Sequence, residues 1–342
     1  MTTSSVSVVV VTWNGLDLTL RCLDSLDRQR APGRAVEVLV VDNGSTDGTV
    51  EALRERPGVR LVPLGRNTGF AGGVNAGVAA SSGDVVVLLN NDAVAEPGLV
   101  EQLVAPFDAS GAERLGATTG RVALRGRFRP GRAGEAGLVD HAGRTWVRVP
   151  DGEVGSERLN STGNEVTRAA NGRDRDWLAD AAGPPASVDV FGFNGGCAAL
   201  SRAALSDVGP FDESLFMYYE DTELSWRLRR RGWTVAHVDG ARTVHDHAGS
   251  SDATSAFFRD HNERNRLLVA LLHAPAPVVA RAFARAGVRA VLGPERGRRA
   301  RALVAVARRA PAALRRRRAV DRTARVPRPV VAALLVAEGP SR

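Results

Sequence analysis

The stretch Asp84-Val-Val-Val-Leu-Leu-Asn-Asn-Asp92 decides the fold. Five consecutive apolar residues, Val85 to Leu89, read as a strand buried on both faces, and the strand stops abruptly in three polar side chains. Open α/β sheets bind ligands beyond the carboxyl ends of their strands. An Asn/Asp cluster there presents amide and carboxylate oxygens suited to a hard cation such as Mg²⁺ or Mn²⁺.

Working outward, the same layout repeats. Val6-Ser-Val-Val-Val-Val11 reads as a buried strand followed by the loop Thr12-Trp-Asn-Gly15, after which Leu16, Leu20, Leu23 and Leu26 recur at helical spacing. Val36-Glu-Val-Leu-Val-Val41 is a second strand, ending in Asp42-Asn-Gly-Ser-Thr-Asp-Gly48 and running into a helix around Val50 to Arg56. A short strand follows at Val59 to Val62, and Asn67-Thr-Gly-Phe-Ala-Gly-Gly-Val-Asn-Ala-Gly77 opens another helix. Strand and helix alternating at short intervals predict an α/β fold with a mostly parallel, Rossmann-like central sheet covered on both faces. The polar loops are expected to gather along one edge of it.

The 342 residues suffice for a large core, and all 46 basic side chains are arginine against 38 acidic ones. Such arginine density points to a GC-rich genome. It does not point to nucleic acid, because the basic residues concentrate outside the motif-bearing region and lack interleaved aromatics. Two distant cysteines, Cys22 and Cys197, exclude a disulfide framework, and Cys22 falls on the apolar face of a helix. Met1-Thr-Thr-Ser-Ser has no basic n-region, and no apolar run nears the roughly 18 residues that span a bilayer, so a cytoplasmic location is expected. Three segments are expected. Residues 1–124 form the half that carries the strand–helix repeat, and 125–273 a second half that carries the later polar clusters. Residues 274–342 form a basic helical tail whose bland reading is a solvated appendage and whose functional reading is peripheral contact with anionic lipid at the inner face of the membrane. From Arg125 to Val188 the pattern dissolves into Gly, Arg, Pro and Asp, too long for an idle loop and so a functional excursion or a mobile segment.

Each polar cluster has a bland alternative. The loop after Asp42 suits a strand-to-helix turn as well as a ribose or base contact. The glycines of Asn67 to Gly77 admit close ligand approach or close helix–sheet packing, and match neither a P-loop nor a Rossmann fingerprint. Glu220-Asp-Thr-Glu223 opens a helix after the aromatics Phe216, Tyr218 and Tyr219, as dipole partners or as a proton acceptor held at the helix N-terminus. His245-Asp-His247 is a surface turn or a metal ligand supported by a carboxylate.

Taken in order, Val-Thr-Trp-Asn, Val-Asp-Asn-Gly-Ser-Thr-Asp-Gly, Asn-Thr-Gly-Phe-Ala-Gly-Gly-Val-Asn, Leu-Asn-Asn-Asp, Gly-Gly-Cys-Ala-Ala-Leu and Phe-Asp-Glu-Ser-Leu-Phe-Met-Tyr-Tyr-Glu-Asp resemble a family 2 glycosyltransferase of GT-A fold over roughly Val6 to His273. The Asn-x-Gly-Phe element is similar to that of bacterial rhamnosyltransferases and galactofuranosyltransferases of cell-wall polysaccharide synthesis. The resemblance implies an inverting, Mg²⁺- or Mn²⁺-dependent transfer from a nucleotide-diphosphate sugar to a glycan or lipid-linked glycan. The implied donor is dTDP-rhamnose first and UDP-galactofuranose or another UDP-sugar second. It places Thr12, Asn14 and Asp42 around the nucleoside, and Asn67, Gly69 and Asn75 along the ribose and donor sugar. Asn90 and Asp92 take the DxD position, with Asp92 the principal metal ligand and His245 or His247 a further one. Gly195 and Gly196 border the acceptor, Asp221 is the general base, and Glu220 supports it. Arg264 and Asn265 match a recurrent pair with no assigned role. The competing readings are a nucleotidyltransferase, which needs a basic Gly-rich loop after the first strand that Thr12-Trp-Asn-Gly15 lacks, and a non-catalytic sugar-nucleotide or glycan-binding module.

Overall fold

The computed structural model describes residues 5–246 and 255–338, so His247 lies outside the described residues. Strands β1 (Ser5–Thr12), β2 (Ala35–Asp42), β3 (Val59–Pro63) and β4 (Val85–Asn90) alternate with helices α1 (Leu16–Leu26), α2 (Thr49–Arg54) and α3 (Gly69–Ala80). The four strands lie side by side in the order β3-β2-β1-β4, all parallel, with Val8 level with Val38 on one side and Val87 on the other. Successive side chains point to opposite faces. Val8 and Val10 with Val87 and Leu89 therefore meet Cys22, Leu23 and Leu26 of α1, while Val9 with Val86 and Leu88 meets Ala71 and Val74 of α3. A run apolar at every position has two covered faces, and each such Val or Leu contributes about 1.5–3 kcal/mol on burial.

The sheet continues through β5 (Ala93–Ala95), helix α4 (Leu99–Val104) and β6 (Leu115–Leu124). The excursion is ordered. It holds β7 (Arg127–Pro130), β8 (Leu138–Val139) and β9 (Thr145–Val149) as a small sheet, β10 (Leu159–Ser161) paired to β6, and the hairpin β11 (Asn164–Val166) and β12 (Gly172–Asp174). Next come β13 (Cys197–Ser201), α5 (Arg202–Val208), α6 (Glu220–Arg230) and β14 (Thr234–His245). β13 runs antiparallel between β4 and β6, β14 runs parallel to β6, and β5 closes the path antiparallel to β14. Six strands thus share one direction, which is the mostly parallel sheet expected. The sheet crosses Leu124 without a break, because β13 and β14 of the following segment complete it.

Helices α7 (Ala256–His273), α8 (Ala276–Leu292), α9 (Arg296–Thr323) and α10 (Arg328–Ala332) complete the described chain. The tail packs back on the sheet domain. Asp321 meets Arg230 at 2.5 Å and Arg328 at 2.7 Å, Arg317 donates to the carbonyls of Leu271 and Ala274, and Arg316 pairs with Asp212. Val331 and Leu335 are buried against Phe191 and Trp226. These contacts replace the solvated appendage of the bland reading, although Val288, Val291 and Leu292 stay exposed on α8. Among the described residues no helix is long and apolar enough to cross a membrane.

The glycines of α3 resolve in favour of packing. A Cβ on Gly73 would stand 2.6 Å from a Val11 methyl and one on Gly77 2.4 Å from a Val9 methyl, so the helix lies against the sheet only because these positions lack side chains. Gly69 is needed twice over: its φ is +74°, and a Cβ there would fall 2.2 Å from the Phe216 carbonyl oxygen.

Candidate functional site

The polar loops do gather. At the carboxyl ends of β1, β2 and β4 they open a cavity of about 780 Å³, closed on the far side by the excursion and the start of α6. Of the residues named from sequence, Thr12, Asn14, Asn67, Asn90, Gly195, Gly196, Glu220, Asp221 and His245 line it.

On the side formed by the loops after β1 and β2, most of these groups shape the loops. Asn14 Oδ1 accepts from Thr46 N–H at 2.8 Å, and Asn14 N–H donates to Ser45 Oγ at 2.9 Å, locking the first two loops together. Asp47 caps α1 through the N–H groups of Gly15 (2.6 Å) and Leu16 (3.1 Å). Burial opposes its charge, yet the Thr49 hydroxyl and these N–H groups hold its pKa down to about 2. Asp42 is buried, and its carboxylate accepts from Gly44 and Ser45 N–H at 3.0 and 3.1 Å. Its side chain thus closes its own turn, as the bland reading has it. Thr12 is likewise buried, 2.8 Å from the Thr19 hydroxyl. Asn67 Oδ1 takes the Gly69 N–H at 2.9 Å at the start of α3. Asn75 is not on the cavity wall: its amide braces Phe211 through both oxygen and nitrogen and reaches Glu213 at 2.9 Å. Gly69 also stands behind the wall, against Phe216.

Just past β4, Asp92 is buried behind the cavity wall, its Oδ1 2.8 Å from Nε2 of His245, which lines the cavity. His245 Nδ1 meets Asn160 Oδ1 at 2.8 Å, and the amide nitrogen of Asn160 faces the Asp174 carboxylate at 3.4 Å. The His245 ring is thus braced between the Asn160 amide and the Asp92 carboxylate. A carboxylate and an imidazole brought together in this way, with an amide orienting the ring, form a donor set that fits a divalent cation completed by ligand oxygens. Among the described residues no group of three His, Cys, Asp or Glu side chains is placed to hold a metal by itself.

Helix α6 begins at Glu220 after a backbone turn in which Phe216, Tyr218 and Tyr219 all have positive φ. Three such non-glycine residues are costly and persist only where the surroundings fix them. Asn265, fully buried on α7, does this by donating its amide to the carbonyls of Leu215, Met217 and Tyr218 at 3.0, 2.9 and 2.7 Å, and Arg264 adds a bond to Leu215 at 2.9 Å. The Arg-Asn pair that sequence left without a role therefore holds the turn that aims α6. Asp221 accepts from Gly195 N–H (3.2 Å) and Thr222 N–H (2.6 Å). Burial raises its pKa against those bonds. Burial, and then the Asp221 charge, pushes Glu220 to about 8, and Glu220 Oε2 has no hydrogen-bond partner among the described residues.

Sequence reasoning missed Asp174. Its carboxylate accepts from Asn194 at 2.7 Å and faces Asn160, and burial raises its pKa to about 6, with Asp221 adding to the shift. Asn194 in turn holds Gly196 N–H at 2.8 Å, next to the Gly195 N–H that serves Asp221. Asp174 thereby ties the His245 side of the cavity to the Asp221 side. Nothing in its isolated, arginine-flanked position signals this. Asp174→Asn is expected to lower turnover about tenfold, the lower end for losing a supporting partner, with the melting temperature little changed. Turnover equal to the parent's would remove Asp174 from the site.

Residues 7–131 match the family described as Glycosyl transferase family 2. Over 269 residues the chain is 32% identical to the N-acetylglucosaminyl-diphospho-decaprenol L-rhamnosyltransferase of Mycobacterium tuberculosis, spanning 73% of this chain and 78% of that protein. It is 36% identical over 125 residues to the succinoglycan biosynthesis protein ExoO of Rhizobium meliloti, covering 36% of this chain and 35% of that one. The fold superimposes on GalNAc-T7, solved with UDP, GalNAc and Mn²⁺, with a TM-score of 0.59 at 16% identity, covering 80% of this chain and 49% of the other. It also superimposes on the Pyrobaculum calidifontis mannosyltransferase PcManGT, solved with GDP-Man and Mn²⁺, with a TM-score of 0.51 at 19% identity over 90% and 75% of the two chains.

Proposed function

The chain belongs to glycosyltransferase family 2 and is a glycosyltransferase, and from that premise we propose that it transfers rhamnose, with inversion, from a nucleotide-diphosphate donor to a lipid-diphosphate-linked glycan, using Asp221 as general base. The observation that carries this is one cavity whose wall holds His245, with Asp92 buried behind it, together with Asp221 and Glu220. The sugar and acceptor follow the mycobacterial relative, whose name specifies both.

In this reading residues 1–124 receive the donor and residues 125–273 the acceptor. The excursion supplies His141, Asn160, Asn164, Arg173, Asp174 and Trp177 to the wall, a mixture of amide, charged and aromatic surfaces of the kind that grips a sugar. Asp92 and His245 would hold the cation, which when bound supplies Lewis-acid stabilisation of the departing diphosphate. Asp221 is kept in place by Gly195 and Thr222 and sits at the positive end of α6, so its ionised form is available to take the acceptor hydroxyl proton. Glu220, with its raised pKa, keeps its own proton at neutral pH and spares Asp221 a second negative charge beside it.

The test is binding and turnover of a panel of nucleotide sugars with Mn²⁺ or Mg²⁺, and again with chelator. Selective, cation-dependent binding of dTDP-rhamnose and transfer to a prenyl-diphosphate-linked N-acetylglucosamine is the expected result. Selective use of a UDP-sugar would overturn the donor assignment, and binding without turnover would favour a non-catalytic module.

A further inference from the structure

A second cavity, of about 560 Å³, lies beside the first, between α1 and the small sheet β7-β9-β8. Its walls are apolar: Leu124, Phe128, Leu138, Trp146 and Val147, with Leu18 shared between the two cavities. The Trp146 ring is immobilised, its Nε1–H bonded to Asp140 at 3.1 Å and the Arg158 guanidinium stacked 3.6 Å over it. Polar groups on the lining are mostly cationic. Arg21 and Arg125 share the single carboxylate of Asp246, and exposed Arg148 makes no ion pair among the described residues. Three guanidiniums against one carboxylate leave a net charge of +2 beside an apolar hollow, a pairing that suits an amphiphile with a phosphorylated head and a hydrocarbon tail.

The position fits as well. Asp246 N–H bonds the Asp92 carbonyl oxygen at 2.9 Å, and Arg125 N–H bonds that of His245 at 3.0 Å, so this lining begins one residue from the Asp92–His245 pair. Resting on the acceptor chemistry proposed above, we propose that this second cavity holds the prenyl diphosphate of the lipid-linked acceptor, with Arg21, Arg125 and Arg148 taking the diphosphate and Phe128, Leu138 and Trp146 the first isoprene units. The acceptor sugar would then lie in the main cavity across Leu18. The excursion of residues 125–188 thereby has two uses, one strand pair forming a wall for the sugar and the small sheet a wall for the lipid.

The test measures equilibrium binding of farnesyl diphosphate, farnesol and inorganic diphosphate to the full chain in the presence of chelator, which keeps the diphosphate from a cation at Asp92 and His245. A buried methylene is worth roughly fourfold in affinity. Farnesyl diphosphate is expected to bind at least tenfold more tightly than inorganic diphosphate and than farnesol. Leu138→Trp, which fills the hollow, and Arg148→Glu, on the exposed rim, are each expected to weaken it at least fivefold while cation-dependent nucleotide binding, measured as the check of folding, is unchanged. Equal binding of farnesyl and inorganic diphosphate, or farnesyl diphosphate binding indifferent to both substitutions, overturns the assignment. The same preparation assayed with donor separates the two readings: prenyl diphosphate bound with no donor turned over defeats the transferase mechanism alone, and donor turned over with no prenyl diphosphate bound defeats the lipid cavity alone.

Discussion

Asp221→Asn is expected to lower kcat by at least about 10²-fold, the usual scale for losing a general base, with donor affinity unchanged. The amide keeps the shape of the carboxylate, and its oxygen can still accept from Gly195 N–H while its NH2 gives up the bond from Thr222 N–H, so the melting temperature is measured alongside kcat. What it loses is the capacity to take a proton. Glu220→Gln separates the two neighbours. If Glu220 is the protonated member of the pair, the substitution replaces one neutral group by another, and kcat at neutral pH should stay within severalfold of the parent. The pH profile supplies the sign. A base must be ionised to work, and burial raises the Asp221 pKa, so activity should fall, on acidification, at a higher pH than for an ordinary carboxylate. Ionisation of Glu220, near pH 8, adds a second negative charge and should produce a further change there. In Glu220→Gln that upper change should vanish. A fully active Asp221→Asn enzyme, or an inactive Glu220→Gln enzyme of normal melting temperature, would exchange the roles or move the base elsewhere.

How much of this was legible beforehand follows from how each feature is encoded. The buried parallel strands were plain because burial on both faces leaves an unbroken apolar run, as in Val85 to Leu89, and a polar residue must come where the strand meets solvent. The ends of those strands therefore marked the cavity correctly. Which side chain turns into it was not encoded in the same way. Asp42 sits at the end of β2 and Asn75 midway along α3, but each side chain is spent on backbone: Asp42 folds onto Gly44 and Ser45 of its own turn, and Asn75 reaches across to the distant Phe211. Short polar side chains compete for nearby N–H and carbonyl groups, and only the folded geometry shows which partner wins. The excursion was illegible for another reason. Its strands are two to five residues long, too short for period-2 alternation to register, so Asn160 and Asp174 looked like loop residues although they join two sides of the site. Asn265 lay within an evident helix, yet its task, holding three carbonyls of a turn some fifty residues earlier, depends on a contact no local pattern encodes.

Removing the Asp92 carboxylate behind His245 should separate binding from chemistry in the opposite sense. Asp92→Ala is expected to weaken cation-dependent binding of a nucleoside diphosphate by more than about tenfold, since even partners behind the ligands of a metal site cost 10- to 100-fold when lost. Binding measured in chelator should be the same for variant and parent, because the proposed reading gives the nucleoside to other loops. His245 Nε2 stands 2.8 Å from Asp92 Oδ1, and Asn160 braces the other ring nitrogen at 2.8 Å. Without the carboxylate this pair keeps only an imidazole nitrogen, and a hard divalent cation binds oxygen in preference to nitrogen. The variant also leaves His245 without its buried partner, so the melting temperature must accompany the titration. A stable Asp92→Ala protein that binds nucleoside diphosphate with the parent's cation dependence would remove Asp92 from the metal site. The Asp92–His245 contact would then be a buried ion pair that fixes the end of β14 against β5, and the cation would have to be held by other groups on the same wall.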